Sequence, residues 1–151
     1  MASNIAQRGK PAWLLSSILM LGCGTLEPSE PALPPLAVRI EAPAVYQQWF
    51  AATASCSGLS GTSQTIEWYV VPGAASFRAD GAERVGMWQQ VGGTSQIVIA
   101  GAYAEHEMVV RHEILHHLLG EKGHPEKLFA DQCPLTWERW QQHVSGTLAN
   151  R

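Results

Sequence analysis

The sequence predicts an α+β domain: a short mixed or antiparallel sheet packed on one central helix, with further helices at the carboxyl end. Runs rich in β-branched and aromatic residues, bounded by glycine and proline, fall between positions 65 and 100. A helical pattern precedes these runs and others follow them. Strands grouped between helices, instead of alternating with them one by one, belong to the α+β class. With 151 residues, 46% hydrophobic and 15% charged, the chain is sized for one domain with a substantial core.

The domain is expected over residues 37–151. From Pro43 to about Ser55 the pattern is helical: proline suits a first turn, and Val45, Trp49, Phe50 and Thr53 fall near one face. Gly58 and Gly61 end it. Thr65 to Val71 predicts a strand that stops at Pro72-Gly73. Arg84 to Val91 and Ser95 to Ala100 predict two more, joined as a hairpin across Gly92-Gly93. From Ala104 to Leu119 the pattern is helical again, with Val110, Ile114, Leu115, Leu118 and Leu119 covering a wide apolar arc. Gly120, Gly123 and Pro125 stop that helix. A short helix is expected from Glu126, and a last one over Thr136 to His143, with Thr136 as its cap.

Residues 1–22 read as an export signal. Arg8 and Lys10 precede an apolar run from Ala12 to Leu21 that is too short for a stop-transfer helix. The run ends in Met20-Leu21-Gly22-Cys23, which resembles the lipobox of bacterial lipoproteins, with methionine where leucine is usual. The resemblance implies that Cys23 is lipidated and becomes the first residue. Gly24 resembles members sorted to the outer membrane, so the expected location is the cell envelope. Residues 23–36 contain Pro28, Pro31, Pro34 and Pro35, and predict a semi-rigid tether. The net charge is −3, and removing residues 1–22 leaves eight basic and thirteen acidic side chains, a balance of −5. Such a surface argues against nucleic-acid binding. A monomer is expected.

The chemistry concentrates on His112-Glu113-Ile114-Leu115-His116. Histidines four apart on a helix project within about 40° of each other, one turn apart, and can share one tetrahedral zinc. Glu113 lies on the same side, placed to take a proton from a water molecule that the cation activates. The pattern therefore carries a mechanism. It resembles the zincin metallopeptidases, in which a small sheet precedes an active-site helix. That resemblance implies a zinc cofactor and a peptide or protein substrate. It also implies that Gln96-Ile97-Val98-Ile99 is the edge strand that pairs with extended substrate.

For the third ligand the sequence offers His124, with Asp131, Glu138 and His143 as rivals. Metzincins place a glycine three residues and a histidine six residues after the second histidine; here Gly120 and His124 come four and eight after His116. No methionine follows Met108, so there is no Met-turn. His117 points about 100° from His116 and is expected beside the site, not in it. His106 is expected to be solvated, and Glu107 with Arg111 to form an i,i+4 pair. Tyr46, Tyr69 and Tyr103 are open candidates for hydrogen-bonding an oxyanion. With Cys23 assigned to lipid, Cys56 and Cys133 are expected to pair in an oxidising compartment. The reading is a lipid-anchored zinc hydrolase with Glu113 as general base. Its competitor is a non-catalytic envelope lipoprotein whose zinc site is closed by a fourth protein ligand.

Overall fold

The computed structural model describes residues 32–149. The signal segment 1–22, the lipidation site Cys23 and most of the tether lie outside the described residues. At the carboxyl end of the tether, Pro34 is buried and Leu33 packs against the domain.

The domain is α+β, with a small sheet and three α-helices. Strand β1 (Val38–Ile40) leads into helix α1 (Ala44–Ser57). Strand β2 (Ile66–Val71) follows, then a small hairpin of β3 (Phe77–Ala79) and β4 (Ala82–Arg84). Next come β5 (Gly86–Val91) and β6 (Thr94–Ala100), helix α2 (Glu107–Leu119), a π-helical segment over Lys127–Gln132, and α3 (Trp137–Ala149). In the main sheet the order is β1-β2-β6-β5; β2 runs parallel to β6, and β1 and β5 are antiparallel to their neighbours.

This order corrects the expected edge. β6, which contains Gln96 to Ile99, is internal, and β5 is the free edge beside α2. The reason is physical: Ile97, Val98, Ile99 and Ala100 are all fully buried. Four consecutive buried residues mean that both faces of the strand are covered, which fits an interior position. The β5–β6 hairpin turns through Gly92 and Gly93 at φ 55° and 84°, as a two-residue turn requires.

The larger core lies between one sheet face and the helices. Trp68, Trp88, Ile97 and Ile99 meet Val110, Ile114 and Leu115 of α2, and Tyr46 and Phe50 of α1. Each fully buried aliphatic side chain here contributes roughly 1.5–3 kcal/mol relative to exposure. On α1 the buried positions are Tyr46, Phe50, Thr53 and Ser57, one residue round from the predicted stripe, so Val45 and Trp49 are flanking contacts. The second sheet face packs Val71, Met87 and Val98 on Phe77 of the β3–β4 hairpin. Arg84, expected in one strand with Val91, belongs instead to that hairpin, which turns at Asp80 and Gly81 with φ 49° and 75°. The expected ion pair forms, with Arg111 Nη1 2.9 Å from Glu107 Oε1, and Arg111 Nε also donates to Thr53 Oγ1 at 3.2 Å. Cys56 and Cys133 form a disulfide, with Cα atoms 5.4 Å apart and a sequence separation of 77. No helix among the described residues is long and apolar enough to cross a membrane.

Candidate metal centre

Helix α2 runs through the core, and His112, half-buried, and His116, buried, project from one side of it one turn apart. Gly120 ends the helix in the left-handed conformation, φ 69° and ψ 20°, while its N–H still bonds His116 O at 2.8 Å. The chain reverses there and returns His124 to the helix. Lys122 Nζ, 2.9 Å from Asp80 Oδ2, ties this loop to the β3–β4 hairpin. Beyond it, Pro125 begins the next turn by accepting the Leu128 N–H at 2.9 Å.

The result is a cluster of three imidazoles. His124 Nε2 lies 3.0 Å from His112 Nε2 and 3.2 Å from His116 Nε2. A tetrahedral ion with bonds of about 2.1 Å would separate its nitrogens by roughly 3.4 Å. The other ring nitrogens of the helical pair are occupied. His112 Nδ1 donates to Leu135 O and His116 Nδ1 to Glu121 O, each at 2.9 Å. A carbonyl can only accept, which assigns the proton to Nδ1 and leaves the Nε2 lone pairs facing inward. Burial pushes His112 and His116 down to about 4, and also lowers His124. At neutral pH all three are therefore uncharged donors, the form that binds a cation. The three histidines could hold a metal ion.

Asp131, Glu138 and His143 do not join the cluster. Asp131 sits 3.9 Å from Arg139 at the surface, Glu138 is exposed in the first turn of α3, and His143 packs on Trp140. His117 lies outside as well: Trp88 Nε1 donates to Ser95 Oγ, Ser95 Oγ donates to His117 Nδ1, and His117 Nε2 donates to Thr62 O. His106, expected to be solvated, packs instead between Tyr103 and Trp137. The three tyrosines stand away from the chemistry. Tyr46 OH donates to Ala104 O, Tyr69 OH to Glu67, and Tyr103 packs on His106 and Trp137.

Glu113 is buried against β5. Burial raises its carboxyl to about 8, opposed by the Arg84 charge and by a hydrogen bond from the Trp88 backbone N–H. A carboxyl poised near neutrality suits proton transfer in both directions. Its packing depends on Gly86, a residue that the sequence alone did not select. A Cβ built at Gly86 would lie 2.5 Å from Glu113 Oε1 and 2.9 Å from its Cγ. The end of the Glu113 side chain can yield where backbone could not. If Glu113 handles a proton in a reaction at this site, Gly86→Ala should fold and keep its metal affinity within about threefold while losing roughly 10–100-fold in turnover, because misplacing a catalytic group by about 1 Å has effects of that size. Parallel metal titration and kinetics check this; equal turnover would mean that Glu113 keeps its position.

Phe129 was also missed. Its ring centroid lies 4.8 Å from that of His112 and 4.9 Å from those of His116 and His124, so it forms an apolar wall under all three. Trp88 stacks beside His116 at 6.4 Å. A cleft of about 450 Å³ opens next to the cluster, bordered by His112, Glu113, His116, His124, Gly86 and Trp88. The chain matches no protein-family model, no curated protein and no solved structure.

Proposed function

We propose that the protein is a zinc-dependent hydrolase of zincin type, acting on peptides and held at the cell envelope by lipid on Cys23. The carrying observation is the convergence of three neutral imidazole nitrogens, 3.0 and 3.2 Å apart where they meet at His124, beside a buried carboxyl. An all-imidazole donor set suits zinc better than calcium or magnesium, which favour oxygen. No fourth His, Cys, Asp or Glu among the described residues joins the group, which favours catalysis over a closed structural site.

Zinc, when bound, supplies Lewis acidity that polarises a carbonyl and makes water nucleophilic near neutral pH. Glu113 takes the proton from the attacking water and passes it to the departing amine, which ties its two roles to one carboxyl. Gly86 leaves room for that carboxyl, and the Trp88 N–H orients it. Phe129 keeps water from the rear of the imidazoles. The free edge of β5 borders the cleft, and an extended peptide can pair with it through backbone hydrogen bonds.

The test is a zinc titration of the purified protein together with hydrolysis of a quenched-fluorescent peptide library. One equivalent should bind, and a chelator should stop turnover. His124→Ala should weaken zinc by more than about 100-fold, since loss of a partner outside the ligand shell already costs roughly 10–100-fold. Sub-stoichiometric zinc, or binding indifferent to His124, would remove the metal site and the enzyme with it.

A further inference from the structure

The cleft beside the imidazoles changes character along its length. Met108 and Val109 border it one turn before His112, and Leu135 and Trp137 extend this apolar stretch. Around the loop that carries His124 the lining becomes charged, with Asp80, Glu83, Arg84 and Lys122. Two of these four charges pair with each other, and a third is bonded by a neighbouring hydroxyl. Lys122 and Asp80 bond each other at 2.9 Å, and Glu83 Oε2 accepts from Ser76 Oγ at 2.7 Å.

Arg84 differs. It is half-buried, and its guanidinium Nε donates to Ala79 O at 3.3 Å, a neutral acceptor within its own hairpin. Among the described residues it makes no ion pair. Its charge is felt across the site, since it acts on Glu113, His116 and His124, and also on Asp80, whose carboxylate bonds Lys122. A guanidinium partly withdrawn from water and with no carboxylate in ion-pair contact gains from any carboxylate that arrives, because a fork of N–H donors matches two carboxylate oxygens.

We propose that Arg84 anchors a carboxylate of the substrate, so that the cleft selects short peptides with a bulky apolar residue on one side of the cleaved bond and a carboxylate on the other. The hydrolytic half of this statement rests on the function proposed above; the recognition half does not. The carboxylate has two possible sources, a peptide's C-terminus or an aspartate or glutamate side chain, and Arg84 is a specificity residue for either.

Binding to the metal-free protein separates these sources, read through the fluorescence of Trp88 and Trp137, which border the cleft. One pair of probes is N-acetyl-phenylalanyl-glycine and its C-terminal amide; the other is N-acetyl-phenylalanyl-aspartate amide and its asparagine counterpart. In at least one pair the acid should bind about tenfold or more tighter than the neutral partner, the scale of one charged hydrogen bond. Arg84→Gln should bring that ratio close to one, and Arg84→Lys should keep part of it. Discrimination only in the first pair identifies the C-terminus, and only in the second the side chain; both outcomes support the anchor. No discrimination in either pair, or discrimination that survives Arg84→Gln in a folded protein, overturns it. In the zinc-loaded protein, Arg84→Gln slowing acidic and neutral peptides by the same factor would also overturn it, because the residue would then serve the reaction and not recognition. If zinc or hydrolysis is absent altogether, the proposed function fails while the binding comparison still decides the role of Arg84.

Discussion

Replacing Glu113 by glutamine is expected to lower peptide hydrolysis by roughly 10²–10⁴-fold, the usual contribution of a general acid–base group, while zinc stays bound at one equivalent. Glutamine has the shape of the carboxylic acid and keeps an oxygen that can accept from the Trp88 N–H, so packing against Gly86 is preserved. What is lost is the proton acceptor. A second readout separates this from a folding defect. Glu113 has its folded-state value raised to about 8 by burial, so between its unfolded value and about 8 the folded state holds a proton that the unfolded state has released. The contribution of this group to the stability of the metal-free protein therefore falls as pH rises through that window. The glutamine variant has no such group and should lose this part of the slope. Unchanged turnover would take Glu113 out of the mechanism, and turnover lost together with zinc would make it a structural support for the ligands.

Removing the disulfide is expected to have an effect of similar rank on stability. Cys56 and Cys133 close a loop of 77 residues, and chain entropy assigns such a closure about 4 kcal/mol, near a thousandfold in the folding equilibrium. For a domain of this size that is a fall of about 15 °C in Tm. The consequences should reach the metal site. Cys133 directly follows the π-helical segment that carries Phe129, and Leu135, whose carbonyl holds His112 Nδ1, is two residues further on. In the Cys56→Ser/Cys133→Ser pair, metal affinity should fall together with Tm. Thermal melts with and without zinc, on the oxidised protein and the double variant, measure both. A change in Tm under a few degrees would mean that the core of α1 and α2 holds the π-helical segment without the bond.

The site was legible in the sequence where its logic is local. A four-residue spacing on a helix, a glycine that ends the helix at positive φ and a histidine just beyond it are all short-range facts, and the structure gathers His112, His116 and His124 accordingly. What brings His124 to the cluster in place of Asp131, Glu138 or His143 is not local, because it depends on where the loop is tied, and Lys122 with Asp80 ties it from a distant hairpin. That hairpin was missed although Asp80-Gly81 is a favoured turn pair, because its strands are three residues long and carry no readable alternation. β1, also three residues, escaped for the same reason.

By itself the sequence determined the α+β class, the helix that presents two imidazoles and a carboxyl, the turn at Gly92-Gly93, and the cysteine pair. These follow from periodicity, from backbone freedom at glycine and from residue chemistry, which act over a few positions or through composition. Only the tertiary structure decided that β6 is interior and β5 the edge, that Gly86 is glycine to make room for Glu113, that Phe129 backs the imidazoles, and that Arg84 lines the cleft with no carboxylate in ion-pair contact. Each of these is a contact between segments far apart in sequence, fixed by which surfaces the core must cover.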